Sequence, residues 1–71
     1  MEAREIRTWT GEDMQEQLDD AYRELFALRR ELAMGRLEDY TRVRAVKRDI
    51  ARIKTILRER ELVAELVEEA S

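Results

Sequence analysis

The chain has 71 residues, of which 44% are charged, with a net charge of −3, two glycines and no proline, cysteine or histidine. Without cysteine or histidine it can form no disulfide, no thiol- or imidazole-based catalytic site and none of the usual zinc sites. The length allows one domain at most, and the composition favours long helices with few turns.

The N-terminal segment has room for one or two helical turns, and Ile6 is able to fold back on the body of the protein. We expect the first long helix to begin at Thr10, a residue type that caps helices well. Asp13 stands three residues later, where a capping box has its acid. Trp9 and Met14 have the spacing of a hydrophobic staple around this start.

Apolar residues recur along the first helix with spacings that alternate between four and three, the pattern of a coiled-coil seam. They are Met14, Leu18, Ala21, Leu25, Leu28 and Leu32. Gly35 adopts a positive φ easily and is expected to end the helix after Met34. The pattern predicts a helix over about 10–34 and a turn over 35–39, in which Leu37 covers the turn and Asp39 caps the next helix.

A second seam with the same rhythm predicts a helix over about 40–60. Its members are Val43, Val46, Ile50, Ile53 and Leu57. Ile56 lies outside this rhythm, and Arg60 stands where the next apolar residue is due. Two seams joined by a short loop predict an all-α fold, a long antiparallel two-helix hairpin of coiled-coil type, as a single domain over 1–71. Since such a hairpin buries only one face of each helix, we expect it to need a partner surface.

Residues 61–71 form an acidic extension with four glutamates and no basic residue. Its apolar side chains belong to Leu62, Val63, Leu66 and Val67. Two structures are open for it: these side chains meet Ile6 and Trp9, or the segment continues as a mobile acidic helix. The sequence does not indicate what the extension does.

Positive charge is concentrated in the second helix, where residues 42–60 carry eight basic and two acidic side chains. At ~100° per residue, one flank beside the seam holds Lys47, Lys54 and Arg58. The same side continues toward the back of the helix with Arg44, Arg48 and Arg52, and the small residues Ala51 and Thr55 lie among them. A one-sided basic face favours a polyanionic partner, most commonly RNA or DNA. The alternative is a solvated face whose bases pair with acids of the first helix.

Two aromatic residues of the first helix, Tyr22 and Phe26, form a stripe with Arg29 and Ala33, roughly a quarter to a third of a turn from the seam. They either widen the core or provide a stacking or docking surface for RNA or a neighbouring protein. Trp9 and Ile56 raise the same question.

Nothing in the sequence supports catalysis. The acidic pairs are adjacent in sequence, so their side chains diverge on a helix, and neither a glycine-rich phosphate loop nor a metal-ligand motif is present. No apolar run approaches the ~20 residues of a membrane span, and no signal peptide is apparent. We therefore expect a cytoplasmic protein that is not an enzyme, uses no cofactor or small-molecule substrate and does not enter a membrane.

Two segments carry a resemblance to a known family: "LFALRRELAMGRLED" across the turn and "RVRAVKRDIARIKTILRER" after it. Over about residues 2–61 the chain resembles the bacterial large-subunit ribosomal protein L-twenty-nine family. The resemblance implies a two-helix hairpin bound to large-subunit rRNA near the polypeptide exit tunnel. It also implies a neighbour of the L-twenty-three family at the tunnel rim, with nascent-chain factors docking close by. Relatives more often have Asn-Pro where this chain has Asp39 and Tyr40, and the acidic extension runs past the usual family end.

The resemblance and the helical geometry together predict the RNA-binding residues. The positions that match the family's motifs are Arg29, Lys47, Arg48, Arg52, Lys54 and Thr55. Arg44 and Arg58 are added because they lie on the same helical face. The function expected from all of this is a structural constituent of the large ribosomal subunit that binds rRNA. The alternative is a free coiled-coil adaptor in which two hairpins form a four-helix bundle.

Overall fold

The computed structural model describes residues 1–36 and 39–70, which form three helices. These are α1 (Ala3–Ile6), α2 (Gly11–Ala33) and α3 (Thr41–Ala70). The two long helices pack along each other as an antiparallel hairpin, and α1 lies against α3. The described part of the chain contains no strand. The predicted all-α hairpin is therefore confirmed.

The first turn of α2 is fixed by the predicted capping box. The backbone N–H of Asp13 donates to Thr10 Oγ1 at 3.0 Å, and the backbone N–H of Thr10 donates to the Asp13 carboxylate at 3.5 Å. Each bond satisfies an N–H group that the start of a helix leaves without a partner. Met14 is fully buried one residue later, and Trp9 is partly buried against the core.

The end of α2 follows the glycine prediction. Gly35 has a φ of 69°, and its backbone N–H donates to the Leu32 carbonyl at 3.0 Å. The Arg36 N–H donates to the Glu31 carbonyl at 2.9 Å, which completes a Schellman motif. Leu37, predicted to cover the turn, lies outside the described residues. At the other side of the turn, the Asp39 carboxylate accepts a hydrogen bond from the Thr41 N–H at 2.9 Å and so caps α3.

The core lies between the two seams, as predicted. Its buried residues are Ile6, Met14, Leu18, Ala21, Leu25, Val43, Val46, Ile50, Ile53 and Ile56. The remaining seam residues are Leu28, Leu32 and Leu57, which are partly buried and pack against this cluster. No polar or charged residue of the described ranges is buried. The interior of the hairpin is therefore apolar in the described ranges, and polar contacts between its helices, such as that of Arg42 with Glu24, lie on the surface.

Ile56 departs from the expected pattern, because it is only 4% exposed although it stands outside the seam rhythm. The reason is that α1 packs against α3 beside the seam that contacts α2, and it covers Ile56 there. Ile6 of this short helix is fully buried, and Ala3 packs against the same core. α1 thus gives α3 a second buried stripe that a two-helix hairpin would not have.

Polar contacts hold α1 in place from both ends. At the beginning, Arg52 donates to the backbone carbonyl of Met1. At the end, Arg60 donates to the carbonyl of Arg7 at 3.1 Å, and the Arg7 guanidinium pairs with Glu59 at 3.9 Å. Arg60, which interrupts the seam, therefore has a structural partner in the N-terminal segment.

α3 does not stop near residue 60 but continues as one helix to Ala70. No glycine, proline or capping residue interrupts this stretch, and its leucines, glutamates and alanines favour helix. Leu62, Val63, Leu66 and Val67 are between 43% and 64% exposed, so they do not meet Ile6 and Trp9. None of the described helices is long and apolar enough to cross a membrane.

Candidate nucleic-acid interface

The eight residues predicted to bind RNA are all exposed. Seven of them lie on α3, namely Arg44, Lys47, Arg48, Arg52, Lys54, Thr55 and Arg58. Arg29 lies on α2. The α3 residues lie away from the buried seam, within four turns of one uninterrupted helix. A straight helix keeps such side chains in fixed register, so the spacing of the charges is set by the backbone.

The two helices bring the basic flank and the aromatic stripe to one side of the hairpin. The opposite side is marked by Arg42 of α3, whose guanidinium pairs with Glu24 of α2. On α3, Lys47 and Lys54 lie across the buried seam from Arg42, as the rotation of ~100° per residue shows. On α2, Tyr22, Phe26 and Arg29 lie across the buried seam from Glu24 in the same way. In an antiparallel pair these two flanks face the same way.

A shallow groove on that side supports this orientation. Leu18 of α2 lines it together with Lys54 and Arg58 of α3. On this side, the edge of the α2 seam at Leu18 therefore lies next to the basic flank of α3. We call the combined surface the basic–aromatic face. It consists of Tyr22, Phe26, Arg29, Arg44, Lys47, Arg48, Ala51, Lys54, Thr55 and Arg58.

Most charges on this face have no acidic partner. Within the described ranges, Arg29, Lys47, Arg48 and Lys54 form no ion pair. The pairing of α3 bases with α2 acids, which would make this an ordinary solvated face, is found for Arg42 and Glu24 on the other side. The positive charge of the basic–aromatic face is therefore available to an external anion.

Three of the predicted residues are engaged within the protein. Arg52 donates to the Met1 carbonyl, which draws it toward α1 and to the edge of the face. Arg58 pairs with Glu61 at 3.0 Å, with both side chains more than half exposed. An exposed pair of this kind contributes little to stability and exchanges readily. The Thr55 hydroxyl donates to the Ala51 carbonyl of its own helix at 2.8 Å, which leaves its oxygen able only to accept.

The aromatic stripe belongs to the surface and not to the core. Phe26 is 67% exposed and Tyr22 is 39% exposed. They line a shallow groove with Arg23 and Arg30. The interpretation of these rings as core-widening residues is wrong, because α1 packs on the other side of the hairpin. Trp9, which raised the same question, packs against the core.

Asp39 lies just before α3, where its carboxylate accepts hydrogen bonds from Thr41. Hydrogen bonds from the backbone and side chain of Thr41 hold its pKa below the ordinary value, and the nearby charge of Arg44 contributes in the same direction. The group is fully exposed and belongs to the helix cap. It therefore bears on the stability of the turn, and it gives the interface no acid–base chemistry.

The sequence alone missed two properties of this face. It did not show that the aromatic and basic stripes share one side, because that depends on how the two helices face each other. It also placed Arg52 among the free bases, whereas the carbonyl of Met1, just before α1, engages it. The short N-terminal helix and the burial of Ile6 agree with the sequence, which did not indicate that this segment reaches Arg52.

Comparison with known proteins places the chain in a family. Residues 4–60 match the family described as Ribosomal L29 protein. The "Large ribosomal subunit protein uL29" of Thermoanaerobacter sp. (strain X514) is 56% identical over 62 residues, covering 87% of this chain and 90% of that protein. The protein of the same name from Thermotoga maritima is 52% identical, covering 87% and 94%. The one from Finegoldia magna is 53% identical, covering 87% and 91%. The chain therefore belongs to the Ribosomal L29 protein family.

Proposed function

We propose that this chain is a structural constituent of the large ribosomal subunit and binds large-subunit rRNA through the basic–aromatic face. The observation that carries the proposal is that exposed lysine and arginine side chains without an ion-pair partner are concentrated on one side of a hairpin of this family. Its relatives are named as proteins of the large ribosomal subunit. As a member of a ribosomal protein family, the chain is not an enzyme, in agreement with the composition.

The chemistry of the face suits a phosphate backbone. Lys47 and Lys54 supply compact charges beside the seam, whereas Arg44 and Arg48 supply planar guanidinium groups that hold phosphate oxygens in a bidentate manner. Ala51 lies between them and projects only a methyl group, so the backbone of α3 can approach the nucleic acid closely. Contacts of this kind fix position and orientation on the RNA and carry little sequence information.

The exposed aromatic rings allow a second kind of contact, stacking with nucleobases, which binding to the phosphates of a duplex does not involve. Unpaired bases stack on aromatic side chains and on arginine planes, which is how proteins read single-stranded loops and bulges of RNA. Phe26 and Tyr22 offer such surfaces, and Arg29 stands beside them. We therefore assign phosphate binding to α3 and base stacking to α2.

The resemblance of the turn and of the α3 sequence supports a finer placement. On this basis the hairpin lies near the polypeptide exit tunnel of cytoplasmic ribosomes, beside the rim protein of the L-twenty-three family, with nascent-chain factors docking nearby. No cofactor or membrane takes part in this function.

The test is co-sedimentation of the tagged full-length chain with large ribosomal subunits from its own cells, followed by a moderate salt wash. Retention in the subunit peak is the expected result, since many simultaneous phosphate contacts resist moderate salt. Recovery of the chain in a soluble pool of low mass would overturn the proposal. A salt-insensitive dimer in that pool would instead support the four-helix adaptor.

A further inference from the structure

The part of α3 beyond Arg60 is an amphipathic helix that this protein does not use for its own packing. At ~100° per residue its apolar side chains gather on one side, as a pair of i, i+4 rows. One row consists of Leu62 and Leu66, which are 43% and 64% exposed. The other consists of Val63 and Val67, which are 59% and 63% exposed. Adjacent exposed apolar residues on one helical face are typical of an interaction site.

The other side of this segment is acidic. Its glutamates are Glu61, Glu65, Glu68 and Glu69, and no basic residue accompanies them. Glu61 pairs with Arg58 at the beginning of the segment. The family match ends at residue 60, so the segment lies outside the part of the chain that its relatives' shared pattern covers.

This charge pattern narrows the class of partner. Four glutamates repel the phosphates of nucleic acid and of an anionic membrane surface. A second copy of this segment has no basic residue to offer these glutamates, so it does not complement the acidic side. A protein surface with positive charge beside an apolar groove complements both the acidic side and the apolar rows.

We propose that residues 61–70 are a docking helix for a second protein that presents an apolar groove rimmed by lysine or arginine. The apolar rows enter the groove as helix anchors with i, i+3, i+4 spacing, and Glu65 and Glu69, which flank the leucine row, pair with the rim. Ten residues give ~15 Å of helix, which is two to three turns of contact. The hairpin contacts the rRNA with its basic–aromatic face, and the docking helix holds the partner beyond the beginning of α2.

Photo-crosslinking in living cells tests this with the full-length chain. A benzoylphenylalanine replaces Leu66 on the apolar side in one strain and Glu65 on the acidic side in a second. The position at Leu66 is expected to give one discrete protein adduct, with the crosslinked peptide carrying apolar residues beside lysines or arginines. The position at Glu65 is expected to give a several-fold weaker adduct. An adduct with RNA or with a second copy, or no adduct from the Leu66 position, would overturn the proposal.

The crosslinked partner is then purified and its affinity for the full-length chain is measured. Leu62→Ala with Leu66→Ala is expected to weaken binding about tenfold or more, because anchor residues carry most of an interface's energy. The matched pair Glu65→Gln and Glu69→Gln is expected to weaken it less and to reduce its salt dependence. Equal affinity of the leucine variant, with helical circular dichroism unchanged, would contradict the proposal. This measurement does not depend on sedimentation with ribosomes, so it separates the docking helix from the proposed rRNA binding.

Discussion

Arg42 of α3 pairs with Glu24 of α2 on the side of the hairpin that faces away from Lys47 and Lys54. This cross-helix pair neutralises one arginine beside the acidic flank of α2, whereas the two lysines have no acid within ion-pair distance in the described ranges. The hairpin thus has a neutralised side, which also carries α1, and a side with uncompensated positive charge.

The lysines on the uncompensated side are expected to contact phosphates. Lys47→Gln with Lys54→Gln should weaken binding to purified large-subunit rRNA and lower the log–log salt slope by roughly one unit for each lysine. The measurement is filter binding over a series of salt concentrations. Glutamine keeps the helix propensity, so helicity should not change.

A control with the same loss of charge is Arg7→Gln with Arg42→Gln. Both arginines are ion-paired on the neutralised side, and neither lies on the basic–aromatic face. This variant should keep nearly the whole salt slope. Equal slopes for the two variants would show that binding depends on total charge and not on the proposed face.

Substitution of Phe26 is expected to weaken rRNA binding while leaving the stability of the fold nearly unchanged. Because the ring is 67% exposed, Phe26→Ala should change the free energy of unfolding by no more than about 0.5 kcal/mol. Loss of a stacking surface should weaken rRNA binding by about 1–3 kcal/mol. The comparison variant is Ile53→Ala, at a fully buried position, which should lose about 2–5 kcal/mol of stability. Thermal unfolding followed by circular dichroism measures both variants, and a large loss of stability in Phe26→Ala would show that the ring is part of the core.

The two glycines should respond oppositely to the same substitution. Gly35 has a φ of 69°, and an added Cβ there would meet no atom within 4 Å, so Gly35→Ala costs backbone strain alone. That cost is about 1–2 kcal/mol. Gly11 begins α2 with equally open space around it, and Gly11→Ala should stabilise the protein by about 0.4–1 kcal/mol through the unfolded state. Denaturant unfolding of both variants checks the prediction, and a neutral Gly35→Ala would argue against the Schellman turn.

Asp39 should make stability depend on pH at the acidic end. Its pKa is lower in the folded chain than the ordinary 3.8, chiefly because Thr41 donates to its carboxylate. The unfolded chain therefore binds this proton more readily than the folded one. The stabilisation is complete above about pH 5 and is lost as the pH falls through the ordinary value toward the lower folded one.

Asp39→Asn tests the assignment, because an asparagine still caps the helix but does not titrate in this range. The difference in unfolding free energy between the original chain and the variant should be constant from about pH 5 to 7 and shrink below about pH 4. A difference that does not vary with pH would mean that this carboxylate is not responsible.

The elements that could be predicted from sequence are those set by neighbours along the chain. The reciprocal bonds of Thr10 and Asp13 and the positive φ of Gly35 are local, and the seams record which residues face the partner helix. The course of the chain beyond Arg60 was left open between two structures for the opposite reason. The end of a seam marks where packing ends, whereas a helix ends only where its backbone is broken or capped.

The arrangement of the site depended on contacts between distant parts of the chain. Ile56 is buried and Arg52 is engaged because α1 lies across them, some fifty residues away in sequence. A four-residue helix has almost no periodic signal of its own. Phe26 is exposed because nothing comparable covers its side of α2. Helical angles therefore predicted which residues share a face, but not which faces are covered.

The antiparallel course of the hairpin also gives the molecule an electrical polarity along its 55 Å length. Residues 25–47, which surround the turn, carry six bases and three acids, whereas the rest of the chain carries eight bases and fourteen acids. The turn end is positive and the open end, where α2 begins and α3 finishes, is negative. In the field of a polyanion such a rod experiences a torque that points the Gly35 end forward. The hairpin should thus meet its RNA turn first, already oriented before any specific contact forms.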